Sequence, residues 1–189
     1  MKKNVFLVLI VAWLILINYN CGGPKKLESQ TGAKEIETPL TGKEYWSNKE
    51  FFRAKSSGKS PDMATAKKIA LNNAKSEIAG LIKSTIKSLT DNYTNQRSVA
   101  NAQDFENKFE NLTREVVNQE LADISIIGEK VFQQKDNTYE YWVAIEISKE
   151  ALLSGITNRV SKDAKLQIDY DKKKFGDMMD QEMQKNEGK

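Results

Sequence analysis

The spacing of apolar positions changes several times along the chain, and each change marks an element. Val5 to Ile17 is an unbroken apolar run behind Lys2 and Lys3. Residues 22–43 show neither helical nor strand periodicity and are rich in Gly, Lys, Glu, Thr and Ser, with Pro24 and Pro39, so they predict a flexible tether. Aromatic density rises at Tyr45, Trp46, Phe51 and Phe52, where compact order is expected to start, and 51–57 predicts a strand. Ser60, Pro61 and Asp62 predict a helix start: a hydroxyl N-cap, a proline at N1 and an acid in the first turn. Met63, Ala66, Ala70, Ala74, Ile78, Leu81, Ile82, Ile86, Leu89 and Tyr93 then recur at three- and four-residue steps, with Lys67, Lys68, Lys75, Lys83 and Lys87 mostly opposite. That pattern predicts one long amphipathic helix over 61–93.

A polar run from Asp91 to Gln103 breaks the pattern, and Phe105, Phe109, Leu112, Val116 and Leu121 predict a second helix. Residues 124–132 are apolar and β-branched, 134–137 predict a turn, and 138–147 alternate, with Tyr139, Tyr141, Val143, Ile145 and Ile147 on one face and Glu140 and Glu146 on a wetter one. Ser148 is expected to cap a helix through Leu152, Leu153, Ile156 and Val160. Beyond Ser161 the apolar residues Leu166, Tyr170, Phe175, Met178, Met179 and Met183 lie at roughly helical spacing in a highly charged stretch, weakened by Gly176, and predict a charged C-terminal helix. The expected fold is therefore α/β of the α+β kind: an antiparallel sheet of about three strands, packed by two long amphipathic helices, with the charged helix at the end.

The apolar run at the start changes the topology. A helix of that length reaches about 20 Å, against a hydrocarbon core of about 30 Å, so export and cleavage fit it better than a stable span. Asn18, Tyr19 and Asn20 follow, then Cys21, the one cysteine of the 189 residues. A positive start, a short apolar stretch, a polar patch and a lone cysteine are the order in which a bacterial lipoprotein begins. The three residues before Cys21 depart from the usual Leu, small residue, Gly or Ala, which bears on cleavage more than on export. The alternative is an uncleaved N-terminal anchor with an incidental cysteine. On the lipoprotein reading Cys21 is acylated, and each buried CH₂ of acyl chain adds about 0.8 kcal/mol to membrane binding. Gly22 after the cysteine, in place of Asp, points to the outer membrane.

Charge and composition narrow the chemistry. The 29 basic and 26 acidic side chains become 27 and 26 once Lys2 and Lys3 leave with the signal, so no basic footprint for nucleic acid is expected. Histidine is absent, which removes the commonest general base and neutral metal ligand. No cofactor and no metal site are expected. Glu44 with Glu50, or Glu140 with Glu146, could be drawn as an acid–base pair for glycosidic bonds, but solvated surface explains them better. Ser56, Ser57 and Gly58 lack a nucleophile elbow. Trp46, Trp142, Tyr139 and Tyr141 could stack sugar or peptide, although strands favour aromatics for packing alone. Asn92-Tyr93-Thr94 and Asn111-Leu112-Thr113 match the N-glycosylation pattern by chance and receive no role. The best candidates for partner binding are Tyr170, Phe175, Met178, Met179 and Met183, because methionine on a charged terminal helix suits an adaptable surface. Docking on their own domain is the alternative.

Tyr45-Trp46, Phe51-Phe52-Arg53-Ala54, Ser57-Gly58, then Ala64, Ala66, Ala70, Ala74, Glu77-Ile78-Ala79 and Ile82, together with Tyr139-Glu140-Tyr141-Trp142-Val143-Ala144, resemble the small twenty-kilodalton outer-membrane lipoproteins of the LPP-twenty type. The resemblance covers about residues 45–150 and the signal, and leaves the C-terminal tail outside. It implies an envelope lipoprotein whose small α/β domain is related to the N-terminal domain of flagellar assembly protein T, with no catalytic residues to carry over. The expected organisation is a signal peptide at 1–20, lipidated Cys21 and tether at 21–43, a domain at 44–160 and a charged helix or tail at 161–189. The expected function is that of a non-enzymatic, lipid-anchored cell-envelope protein facing the periplasm, for binding, assembly or structure; the alternative is an envelope enzyme acting on peptidoglycan or lipid. Expected partners are the membrane and an envelope protein, the cell wall or a second copy.

Overall fold

The computed structural model describes residues 36–97, 101–185 and 187. Its elements are β1 (Phe51–Ser60), α1 (Met63–Arg97), α2 (Ala102–Glu120), β2 (Ser125–Gln133), β3 (Tyr139–Ser148), α3 (Lys149–Val160), α4 (Ala164–Asp169) and α5 (Lys172–Lys185). The strands form one antiparallel sheet in the order β1-β3-β2, the α+β architecture the periodicities predict. Ser148 caps α3 by accepting from the Ala151 N–H, as expected.

The small-residue stripe of α1 explains how one helix serves two layers. Ala66, Ala70, Ala74, Ile78, Ile82 and Ile86 are all buried and follow at steps of four. A helix turns about 100° per residue, so each step of four overshoots a full turn by about 40°. The buried stripe therefore winds roughly half way round the helix between Ala66 and Ile86. Its first half lies on β1 and β3, and its second half meets α2 and α5. Contact with the sheet is close: a Cβ at Gly58 would stand 2.5 Å from the Ala66 carbonyl oxygen and from the Ala70 nitrogen. Only a glycine facing alanines lets a helix backbone lie that near a strand.

Both ends of α1 differ from expectation. Asp62, and not Ser60, is the cap, its carboxylate accepting from the Thr65 N–H at 2.7 Å and from the Thr65 hydroxyl. Ser60 is still held in the sheet opposite Tyr139, so the chain cannot turn until Asp62, and Pro61 precedes the cap. The two Thr65 hydrogen bonds hold the Asp62 carboxyl below its usual range. At the other end the helix runs on through the polar stretch to Arg97, because Tyr93 and Thr94 are buried and the Thr90 and Thr94 hydroxyls donate to carbonyls one turn back.

The outer face of the sheet, opposite α1, is not simply wet. Ala144 is fully buried there under a strap formed by residues 38–47. Leu40 is 4% exposed, Lys55 donates to its carbonyl at 3.0 Å, and the ring of Tyr45 lies where a Cβ at Gly128 would be, 2.6 Å away. Order thus begins before Tyr45, and part of the stretch expected as tether belongs to the domain. Leu40 takes a left-handed conformation, φ 58°, to turn its side chain under the strap. The strap then seals the free edge of β1: Ser47 accepts from the Arg53 N–H and donates to its carbonyl, and the Asn48 side chain accepts from the Phe51 N–H.

The C-terminal segment is two helices and not one, broken at Tyr170 and Asp171. The Tyr93 hydroxyl bridges the break, donating to the Asp169 carbonyl at 2.6 Å and accepting from the Asp171 N–H at 2.7 Å. Residues Thr38–Lys189 form one compact unit, so no domain boundary falls at Ser161.

Candidate functional site

Residues expected to meet a partner turn out to be core. Phe175, Met178, Met179 and Met183 are buried and Tyr170 is half-buried. Phe175 packs edge-on against Tyr93, and lies 5.0 Å from Phe109 and 5.5 Å from Tyr170 between ring centroids. Burial raises the Tyr170 hydroxyl above its usual range, opposed by its hydrogen bond with Thr157. The expectation that this stripe binds another chain is corrected: a short charged helix is marginal alone, and the second half of α1 with α2 supplies the apolar wall that covers it. Cys21, expected to carry lipid, lies outside the described residues.

Of the carboxylates raised as acid–base pairs, Glu44 and Glu50 are exposed on the surface, and Glu140 and Glu146 hold structure. Glu146 pairs with Arg53 at 2.9 Å, and Glu140 accepts from Gln134 at 2.8 Å and from the Trp142 indole at 3.0 Å. The four aromatics do not converge, since Tyr139 and Tyr141 stand on the α1 side of β3 and Trp142 on the outer side. Among the described residues there is no cluster of three or more metal-ligating side chains, and no helix is long and apolar enough to cross a membrane.

Two surfaces stand out among the described residues. The first is the edge of β2, where the helix layer stops short. Ile126, Val131 and Phe132 are 42%, 46% and 43% exposed. Among the described residues no strand or side chain pairs with the outer edge, in contrast to the sealed edge of β1. Lys67 ties α1 to this strand, 2.6 Å from Glu129, which also accepts from the Tyr141 hydroxyl at 2.9 Å. The Lys67 contact lowers the Glu129 carboxyl, the Glu129 contact raises Lys67, and burial, followed by the hydrogen bond to Glu129, raises Tyr141 against the opposing Lys67 contact. A bulge between Ile126 and Gly128 ends the regular ladder. The sequence carried a signal for this edge in Gly128, Glu129 and Lys130, since bulges and charges mark strands at sheet borders. The second surface is a cleft of about 320 Å³ along α1 and α2, floored by Ile86, Thr113 and Val117 and rimmed by Lys87, Glu110 and Arg114. The Thr113 hydroxyl in its floor is buried without a hydrogen-bond partner among the described residues.

No protein-family model, curated protein or solved structure matches the chain.

Proposed function

We propose that this chain is a lipid-anchored protein of the bacterial cell envelope, held to the outer membrane through acylated Cys21, that works on the periplasmic face by binding or assembly and not by catalysis. The observation that carries the reading is the order Lys2-Lys3, Val5 to Ile17, Cys21, with that thiol the only one in the chain. The order of folded elements, a strand containing Gly58, an alanine-stepped helix, a second helix and a hairpin with an aromatic strand, supports the resemblance to lipoproteins of the LPP-twenty type. The open edge of β2 is the docking surface on this reading, because unpaired backbone groups beside exposed apolar side chains recruit a further strand.

The test is Cys21→Ser in cells given a clickable fatty acid. The native chain takes the label and fractionates with the outer membrane, and the variant loses both. Equal labelling of the variant ends the anchor reading, and turnover of peptidoglycan or model esters by the purified protein ends the non-enzymatic one.

A further inference from the structure

The phase of the β2–β3 ladder decides which backbone groups of β2 are unpaired. Gln134 donates to the Thr138 carbonyl at 2.8 Å, and Phe132, Lys130 and Gly128 follow opposite Glu140, Trp142 and Ala144. Antiparallel pairs alternate between hydrogen-bonded and not. Phe132, Lys130 and Gly128 thus point their N–H and C=O groups at β3, while Gln133, Val131 and Glu129 point theirs outward.

We propose that two copies of this chain pair through β2, antiparallel, about a two-fold axis perpendicular to the sheet that passes between Val131 and its own copy. This deepens the proposed function by naming the occupant of its docking edge, and rests on it. Residues facing each other across such an axis share a side of the sheet and neighbours in a strand do not, so the axis must set some residue against itself. Centred on Glu129 it opposes two carboxylates, and centred on Lys130 it opposes two ammonium groups in the close, non-hydrogen-bonded pair. Both are unfavourable. Centred on Phe132 or beyond, it shortens the pairing toward the turn. Val131 at the centre sets Val131 on Val131, Glu129 opposite Gln133 and Lys130 opposite Phe132, so that no like charges meet. Outward groups of Glu129, Val131 and Gln133 then hydrogen-bond across the axis, and the Lys130 side chain lies against an aromatic ring.

Anchorage agrees with this symmetry, as it would with any antiparallel register at this edge, and not with a two-fold axis lying in the sheet. A two-fold axis perpendicular to the sheet keeps both outer faces on one side. Each outer face carries the strap in which the chain approaches from Cys21, as Leu40 on Lys55 and Tyr45 on Gly128 show. Both copies can therefore be tied to one membrane, where confinement raises their effective concentration.

The test uses the full-length chain in bacterial membranes with a short bifunctional maleimide. Val131→Cys is expected to crosslink to a dimer and Glu129→Cys is not, with the native chain as the control for Cys21. Val131→Pro removes an outward N–H that β3 does not use. It is expected to weaken the detergent-extracted dimer on the order of tenfold, through lost hydrogen bonds, at an unchanged melting temperature. Equal crosslinking at 129 and 131, a dimer indifferent to Val131→Pro, or a monomer throughout overturns the pairing. Fatty-acid labelling is read in the same samples: label without the 131 crosslink sinks the pairing alone, and the crosslink without label sinks the anchor alone.

Discussion

The two halves of α1 are packed by opposite rules. Toward the sheet, Ala66 and Ala70 meet Gly58 with hardly a side chain between the backbones, and Ala74 continues the buried stripe. Toward the helices, Leu89 and Tyr93 stand in a slab of rings and thioethers with Phe105, Phe109, Phe175 and Met179. The first contact is set by closeness and has no room to grow; the second is set by volume and cannot lose any. A single stripe supplies both, advancing by steps of four from Ala66 to Ile86, then by three to Leu89 and four to Tyr93, because it rotates as it advances.

Removal of volume from the second half is expected to have the largest effect. Phe175→Ala should cost about 3–5 kcal/mol, read as a lower denaturant midpoint at unchanged slope. A loss near zero would mean that α5 does not share the core of α1. Addition of volume to the first half comes next: Gly58→Ala should cost about 1–3 kcal/mol, since the new methyl meets backbone and not a movable side chain. Its control is Gly80→Ala on the open side of the same helix, where a Cβ meets nothing within 4 Å and should stabilise by about 0.5–1 kcal/mol. Equal signs at the two glycines would erase the contrast.

In the cleft beside the second half, Thr113→Val keeps the shape and removes the unpartnered hydroxyl, so a gain of about 1 kcal/mol in thermal or chemical unfolding is expected. The smallest effect belongs to the β2–β3 turn, far from both packings. Asp136 accepts from the Thr138 hydroxyl and N–H and pairs with Lys59, which lowers its carboxyl to about 2. A carboxyl lowered by folding stabilises above its unfolded value near 3.8 and loses that contribution as pH falls through about 2. Asp136→Asn should therefore flatten the acid limb of the stability profile between those values: the variant matches the native chain below about 2 and is slightly less stable at neutral pH, the difference being small because the group is exposed.

How much of this could be read from residues follows from what a pattern encodes. The alternation of β3 and the alanine steps of α1 were legible because each reports one buried side of one element, and Ile78 and Ile145 are both core as expected. The stripe of α5 was equally legible, yet a stripe says that something covers it and not what, so its own domain was mistaken for a partner. Leu40 gave no sign at all: a single leucine between Pro39 and Thr41 has no period, and its burial depends on a surface built by Lys55 and Ala144 far along the chain. The open edge of β2 depends on strand order, which no local pattern records.

Strand order also sets the calendar of folding. Arg53 and Glu146 touch across β1 and β3 although 93 residues separate them. Synthesis finishes β1 first, and its only strand neighbour is made after both long helices. Closing a loop of that length carries an entropic penalty that α1 with α2, or β2 with β3, largely escapes. A chain in mid-fold is thus expected to hold a helical hairpin and a β-hairpin while one side of β3 is still bare, and that transient side, which the finished protein hides completely, is where newly made copies are most exposed to aggregation.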